Sequence, residues 1–153
     1  MAGAICGGHA LVENRHGLLV DLRVSEATGR SERQTAIEML EQRQRRRRIT
    51  VGADRGYDSA DFVGHCRDTK ITAHVAQHTH CRSAIDGRTV RHAGYAISQR
   101  VRRRIEQVFG WIKTVGGLRR SRYRGRQRTQ LAAHLVGAAY NLLRIAKLVA
   151  HSP

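Results

Sequence analysis

Two short apolar runs with a helical segment between them constrain the fold of this chain most. The runs Ile49–Ala53 (ITVGA) and Ile71–Val75 (ITAHV) are rich in β-branched and apolar residues, which is typical of buried strands. The segment between them, Tyr57 to Arg67, is predicted to be a helix with Asp58 or Ser59 as its N-cap. Strands that alternate with helices favour an α/β fold, in which helices pack on a sheet.

The sequence before these strands predicts a hairpin followed by a helix. The apolar runs His9–Asn14 and Gly17–Val24 are joined by Arg-His-Gly, which favours a β-hairpin. A helix is expected from Ser31, as its cap, to about Arg45, because apolar residues recur there at helical spacing. The run Arg43–Arg48 is almost entirely Arg. It is suited either to binding DNA or to complementing the dipole at the end of that helix, and both interpretations stay open.

The sequence after the strands predicts a loop and two helices. The whole chain, 1–153, is predicted to form a single domain. Residues 77–94 are polar and aperiodic, which is typical of an ordered insertion or a mobile loop near a functional site. One long helix is expected from Ile97 to about Val115, and a closing helix from 129 to 150. The buried stripe of the long helix is expected to consist of Ile97, Val101, Ile105, Val108 and Ile112.

The charge of the chain indicates what kind of partner it binds. Lys and Arg number 28 against 12 Asp and Glu, so the formal net charge is +16 on 153 residues. Most of the excess is Arg, whose guanidinium forms paired hydrogen bonds with phosphate oxygens. An excess of this size is greater than solubility requires, and it favours nucleic acid as the partner.

The cysteines and the apolar segments indicate in which cellular compartment the chain is expected. An odd number of cysteines, Cys6, Cys66 and Cys81, matches no disulfide framework, so a reducing cytoplasm is expected. A zinc site around His78, His80 and Cys81 lacks a second ligand cluster, and a solvated loop accounts better for these residues. No signal peptide or membrane span is expected, because charged and polar residues interrupt the most apolar segment.

Two acidic positions are suited to metal-assisted chemistry on a phosphodiester. Asp54 lies directly after the first predicted strand, and Glu106 lies on the long predicted helix. Spacings of four and seven residues place Arg102, Glu106 and Lys113 within about 40° of one another on one helix face. Each acidic residue alone has a simpler explanation, since Asp54 precedes a turn and Glu106 can pair with a neighbouring Arg. Spacing alone leaves these explanations open.

Longer stretches of the sequence closely resemble the C-terminal part of bacterial insertion-sequence transposases of the DDE type, in the insertion-sequence-five group. The resemblance covers nearly the whole chain. The matching stretches are HALVENRHGLLVD, GADRGYDSADFV, HVAQ, RSAIDGRTVRHAGYAISQRVRRRIEQVFGWIKT, GGLRRSRYRG and AAYNLLR.

This resemblance implies a ribonuclease-H-like α/β fold in which Asp, Asp and Glu hold two Mg²⁺ (or Mn²⁺) ions. Asp54 corresponds to the second Asp and Glu106 to the Glu. The family places Tyr, Arg, Glu and Lys around that Glu; the Tyr position holds Gln99, with Tyr95 four residues earlier. By the same resemblance, the DNA-binding residues are expected to be Arg102 and Lys113 near the cleaved phosphate, with basic residues of the following loop, Arg119, Arg120, Arg122 and Arg124, holding other phosphates.

The resemblance also shows a departure, because the first catalytic Asp of the family precedes the segment that matches HALVENR. Glu13 and Asp21 do not align with it. The expected domain therefore lacks its first strand, and the chain is interpreted as a transposase fragment that is inactive alone. The alternative is a non-catalytic, basic DNA-binding remnant that inhibits full-length transposase; a third interpretation is a degraded remnant without function.

The partners expected from this reading are DNA first, at both the transposon ends and the target. A second copy of the chain or a full-length transposase would be a further partner, and no membrane is expected. The location is the cytoplasm, in association with the nucleoid.

Overall fold

A computed structural model of the chain describes residues 6–26, 31–43, 48–120 and 122–151. It divides into two compact units, one formed by residues 1–36 with 104–153 and the other by residues 37–103. In chain order the elements are β1 (Cys6–Val12), β2 (Leu19–Glu26), α1 (Ser31–Glu41), β3 (Ile49–Ala53), a 3-10 turn (Arg55–Tyr57), α2 (Ala60–Asp68), β4 (Ile71–Val75), α3 (Gly87–Val90), α4 (Ala93–Val101), α5 (Arg104–Thr114) and α6 (Arg126–Ala150).

The first unit contains the expected hairpin, which is confirmed. Strands β1 and β2 pair antiparallel, with Gly8 opposite Val24 and Ala10 opposite Leu22. The turn between them is closed by the carboxylate of Glu13, which accepts a hydrogen bond from the backbone N–H of His16 at 2.8 Å. Gly17 ends the turn with a φ of +71°, a conformation that only glycine adopts without strain.

The core of the first unit lies between β2 and two helices. It consists of the buried side chains Leu19, Leu22, Val24, Val108, Ile112 and Ala133. Trp111 on α5 and Tyr140 on α6 close one side of it, with their rings edge to face and 5.4 Å between centroids. The hairpin is therefore stabilised by helices from the distant end of the sequence, as expected for two strands that are marginal alone.

Helix α6 packs closely along β2, and it begins at Arg126, three residues before the expected start at 129. A methyl group added at Gly137 would lie 2.8 Å from Cδ2 of Leu19, so the absence of a side chain there sets how closely the helix approaches. None of the helices in the described ranges is long and apolar enough to cross a membrane.

The second unit contains the expected strand–helix–strand unit, and this prediction is confirmed. Strands β3 and β4 pair in parallel, from Ile49 opposite Ile71 to Ala53 opposite Val75. Between them, α2 is capped by Ser59, whose hydroxyl accepts a hydrogen bond from the N–H of Phe62 at 3.3 Å. Of the two expected caps, Ser59 is therefore the one used. Phe62, Val63 and Cys66 form the buried face of α2.

The prediction of one long helix from Ile97 to Val115 is wrong. Helix α4 ends at Val101, residues 102 and 103 form a turn, and α5 begins at Arg104. The buried stripe was correctly predicted at Val108 and Ile112, which are 1% and 5% exposed, but Ile97 is 57% exposed. Ile97 points outward because α4 is attached to its sheet by polar side chains on another face.

Those polar side chains bind the backbone of β4. The hydroxyl of Tyr95 donates to the carbonyl of Val75 at 2.9 Å, and Nε2 of Gln99 donates to the carbonyl of His74 at 2.6 Å. The Oγ of Ser98 lies 2.8 Å from Nδ1 of His74. A hydrophobic pattern cannot predict a contact of this kind, because the residues that face the sheet are not apolar.

The segment 77–94 is more ordered than a mobile loop. It contains the short helix α3, and the side chain of Ile85 is buried. Asp58 holds its first part, because the carboxylate accepts hydrogen bonds from the N–H of His78 at 2.7 Å and of Ala84 at 2.8 Å. The segment is therefore fixed against the start of α2.

Candidate functional site

Asp54 presents its carboxylate at the carboxyl end of β3. Its backbone is extended, and its carbonyl accepts a hydrogen bond from the N–H of Tyr57 at 3.0 Å. The side chain does not cap the 3-10 turn that follows, although an Asp before a turn often does so. The carboxylate is instead 67% exposed, so it is available to a ligand or to another side chain.

Arg102 forms an ion pair with that carboxylate. Its Nη1 contacts Oδ1 of Asp54, and its Nε donates to Oε1 of Gln99 at 2.8 Å. The close approach of α4 to β3 makes this contact possible, since a methyl group at Gly52 would lie 3.6 Å from Cβ of Arg102. In this structure its guanidinium contacts Asp54, and the expected contact of Arg102 with DNA stays a prediction.

A series of hydrogen bonds to the backbone of β4 positions Arg102. Gln99, which takes the position of the family's Tyr, accepts from Arg102 and donates to the carbonyl of His74. Tyr95, one turn earlier on α4, binds the next carbonyl of β4. Neither residue was predicted to position Arg102. The signal that could have found them is their spacing, since residues 95, 99 and 102 share one face of a helix.

His74 is held in its neutral form within this network. Burial, together with the nearby charge of His92, lowers the pKa of His74, and a hydrogen bond with the backbone of Gly94 only partly offsets this. The side chain is 7% exposed and its ring lies edge to face with that of Tyr95, 5.6 Å between centroids. A neutral, buried imidazole in this setting supports the packing of α4.

Glu106 and Lys113 lie on α5, in the first unit. Both side chains are exposed, and Nζ of Lys113 lies 5.8 Å from the centre of the Phe109 ring. Helical placement of Glu106 is thus as expected. Asp54 belongs to the other unit, and the convergence of Asp54 with Glu106 stays a prediction.

The loop between α5 and α6 and the first residues of α6 present a basic surface, called the basic segment here and comprising residues 119–128 except 121. Its Arg side chains are exposed, and Tyr123 among them is 51% exposed. The predicted DNA-binding residues of this segment are Arg119, Arg120, Arg122 and Arg124. The other predicted basic run, 43–48, lies outside the described residues at positions 44–47.

The described residues do not fit a complete metal centre. Among them no three or more His, Cys, Asp or Glu side chains lie close enough together to hold a metal ion. This holds for the expected carboxylate site and for the zinc alternative at His78, His80 and Cys81. The Oδ1 atom of Asp54 contacts the guanidinium of Arg102, so a cation at this carboxylate would compete with that ion pair.

Comparison with known proteins identifies the family. A family model described as transposase DDE domain matches residues 6–142. The chain belongs to the transposase DDE domain family. No curated protein and no solved structure matches the chain.

Membership in this transposase family has three direct implications. The function is DNA transposition, the partner is DNA, and the fold class is the ribonuclease-H-like α/β class. The small two-stranded sheets with helices packed on them are α/β structure, as this class requires. The family typically uses a divalent metal.

Proposed function

We propose that this chain is the C-terminal part of the catalytic domain of an insertion-sequence-five-type transposase, and that it does not cleave DNA by itself. Asp54 and Glu106 are its two remaining metal-ligand positions, for Mg²⁺ or Mn²⁺. Arg102, Lys113 and the basic segment hold DNA at the nucleoid, in the cytoplasm. What supports the assignment is the match to the transposase family over residues 6–142 together with the display of Asp54 at the end of β3.

The proposed inactivity rests on electrostatics. Two divalent ions bring four positive charges, and two carboxylates supply only two negative charges in return. Among the described residues no three or more His, Cys, Asp or Glu side chains form a group that could hold a metal ion, and the guanidinium of Arg102 further reduces the negative charge at Asp54. Loosely held groups are costly in catalysis, since misplacement by about 1 Å lowers a rate by on the order of a hundredfold.

The first strand of the family's domain is proposed to be missing together with the first catalytic Asp. Within the described residues, the strands form two separate pairs, β1 with β2 and β3 with β4. Two separate strand pairs are compatible with the proposed lack of a first strand.

Proposed binding to DNA rests on charge and exposure. The chain carries a net charge of +16, and the Arg side chains of the basic segment face solvent. Contacts of this kind reach phosphates and carry little sequence information. The chain should therefore bind duplexes of unrelated sequence with similar affinity, and the affinity should fall steeply with salt.

A nicking assay tests the proposal. Supercoiled plasmid is incubated with Mg²⁺ or Mn²⁺ and with the natural chain, Asp54→Ala or Glu106→Ala, and binding of a labelled duplex is measured in parallel at about 50 and 200 mM salt. We expect DNA binding without cleavage for all three proteins. Robust cleavage that both substitutions abolish would overturn the proposed inactivity, and salt-independent binding would contradict phosphate recognition.

The second candidate function is inhibition of a full-length transposase. The lack of a group of three or more metal-binding side chains among the described residues favours it, because a chain that binds DNA without cutting occupies sites that an active enzyme needs. The test adds increasing amounts of the chain to a transposition reaction driven by a full-length relative. Inhibition that persists when transposon ends are in excess indicates pairing with the enzyme, whereas inhibition that excess DNA relieves indicates competition for DNA.

A further inference from the structure

Helix α6 carries an exposed apolar stripe that the fold of the described residues does not use. The stripe, called the α6 stripe here, consists of Leu131, Leu135, Ala138, Leu142, Ile145 and Val149. Its five larger side chains are 62%, 64%, 69%, 45% and 68% exposed, in that order. Exposed apolar patches of this extent mark interaction sites in soluble proteins.

The orientation of α6 explains why the α6 stripe faces away from the core. Ala133 and Gly137, on the other side of the helix, are buried against β2. At about 100° per residue the two sides are separated by roughly 140° around the helix axis. The α6 stripe is therefore a second apolar face, in addition to the one that the hairpin covers.

The spacing of the α6 stripe is that of a coiled-coil seam. Its residues follow one another at intervals of four, three, four, three and four, which is the repeat by which two helices pack side chains into each other's surface. Small residues flank the stripe on one side, at Ala132, Ala139 and Ala146. Small flanking side chains allow another helix to approach closely.

We propose that the α6 stripe binds the α6 helix of a second copy of this chain in antiparallel orientation. In that arrangement Leu131 meets Val149 of the other copy, and Leu135 meets Ile145. Ala138 meets Leu142, so the smallest member of the stripe lies opposite a large one. Pairing of small with large side chains fills the seam, whereas a parallel arrangement would place Ala138 against itself and leave a gap.

Charge also favours the antiparallel arrangement. Helix α6 contains no acidic residue, and Arg128 lies on the same side as the α6 stripe, one heptad before Leu135. A parallel pair would bring the two Arg128 side chains together, which is unfavourable. An antiparallel pair places each Arg128 beside the carboxyl end of the other helix, where the dipole is negative. Arg144 and Lys147 lie away from the stripe.

The area of the α6 stripe is sufficient for a weak, specific dimer. Complete burial of an aliphatic side chain removes on the order of 100 Å² of apolar surface from water, so the five larger residues contribute roughly 300 Å² per copy. Since about 65% of a homodimer interface is apolar, the whole contact would cover roughly 900–1,000 Å², close to the lower bound for a specific interface. The expected dimer is therefore reversible, with a dissociation constant in the micromolar range.

Sedimentation of the full chain tests the proposal. The protein is freed of nucleic acid by nuclease treatment and studied between about 1 and 100 μM at about 0.5 M salt, so that DNA cannot bridge copies. We expect a monomer–dimer equilibrium for the natural chain. Leu142→Glu, within the stripe, should shift the dissociation constant upward by at least tenfold. Leu143→Glu, next to it and 51% exposed but outside the stripe, should leave the equilibrium unchanged.

Mixing two variants tests the orientation. Leu135→Glu and Ile145→Lys should each be monomeric alone, and a mixture of the two should form a heterodimer if position 135 of one copy meets position 145 of the other. Circular dichroism of every variant confirms that α6 is still folded; a variant that unfolds is replaced by the corresponding Gln substitution.

Three results would overturn the proposal. They are a natural chain that stays monomeric at the highest concentration, equal effects of Leu142→Glu and Leu143→Glu, and a mixture that does not associate. A monomeric chain would indicate that the stripe is covered by some other partner. None of these measurements depends on cleavage or on metal binding, so failure here leaves the proposed function intact.

Discussion

The side-chain amide of Asn141 makes both hydrogen bonds with the backbone of Leu19 that a neighbouring strand would make. Its Oδ1 accepts from the N–H of Leu19 and its Nδ2 donates to the carbonyl of Leu19, each at 2.8 Å. Three turns earlier on the same helix, Gln130 accepts from the N–H of Val24 at 2.8 Å and donates to the carbonyl of Leu22 at 2.7 Å. Helix α6 thereby satisfies backbone hydrogen-bonding groups at the outer edge of β2, an edge that would otherwise be open to other strands.

Replacement of Asn141 by Ala should destabilise the first unit. Both backbone groups of Leu19 would lose their partner in a half-buried position, at a cost of about 1–3 kcal/mol in the free energy of unfolding. Urea denaturation followed by circular dichroism measures this loss in the free energy of unfolding. Gln127→Ala, at an exposed position of the same helix, is the control and should change stability by less than about 0.5 kcal/mol. Equal effects of the two substitutions would contradict the role given to Asn141.

Two glycine substitutions should act in opposite directions. At Gly110, within α5, a methyl group meets nothing within 4 Å, so Gly110→Ala should stabilise the protein by about 0.5–1 kcal/mol through helix propensity. At Gly137 the side chain would collide with Leu19, and Gly137→Val should destabilise the first unit by about 1–3 kcal/mol. Thermal melting of both variants provides the comparison; a stabilising Gly137→Val would show that α6 does not pack tightly on β2.

Asp58 should make stability depend on acid pH. Burial alone would raise the pKa of its carboxyl, but hydrogen bonds from the N–H of His78, from Ser83 and from the N–H of Ala84 outweigh burial and lower it. A folded-state pKa below the unfolded one means that the ionised group stabilises the fold above about pH 4 and that this contribution is lost as pH falls through the folded value.

The measurement is the difference in unfolding free energy between the natural chain and Asp58→Asn as a function of pH. We expect a constant difference of about 1–3 kcal/mol at neutral pH, decreasing below about pH 4. A difference that does not change with pH would mean that the charge of Asp58 is not what holds residues 78 to 84. Asp61→Asn, on the exposed side of α2, serves as the control.

Asp54→Ala should leave the stability of the protein almost unchanged. Its carboxylate is 67% exposed, and ion pairs at such positions contribute about 1 kcal/mol or less. Any change in the DNA affinity of this variant can then be assigned to the site. Urea denaturation checks this prediction, and a destabilisation well above about 1 kcal/mol would show that Arg102 and Asp54 form a structural pair.

Replacement of all four Arg residues at positions 119, 120, 122 and 124 by Gln should weaken DNA binding and reduce its dependence on salt. Each lost phosphate contact reduces the slope of log affinity against log salt by about 0.9. Fluorescence anisotropy with a labelled duplex measures the slope. Replacement of Arg88 and Arg91, two exposed residues of the segment around α3, is the control, and a larger effect there would place the DNA on another surface.

Much of the second unit was predictable because its local signals agree. The strands β3 and β4, the helix between them and the position of Asp54 at a strand end follow from apolar runs and a Ser cap, and these are local properties of sequence. The hairpin was predictable for the same reason, since Arg-His-Gly separates two apolar runs. Local signals of this kind can be interpreted without knowing which elements pack against one another.

The break between α4 and α5 was not predictable in the same way. Apolar residues continue at helical spacing through the turn at 102 and 103, so periodicity indicates one helix. What distinguishes the two parts is the contacts they make: Tyr95 and Gln99 bind carbonyls of β4, whereas Val108 belongs to the core with β2. The pairing of Arg102 with Asp54 across 48 positions is likewise a property of the folded chain.

The separation of Leu19 from Asn141 by 122 positions has a consequence for synthesis on the ribosome. At translation rates of about 5–20 residues per second, the hairpin waits roughly 6–24 seconds before the helix that covers it has been made. Residues 37–103 form a contiguous unit and can fold during that interval, before the earlier part of the chain is complete. The hairpin is thus made before the second unit but becomes stable only after it, and a nascent chain that stops short of Asn141 exposes a strand edge to its neighbours.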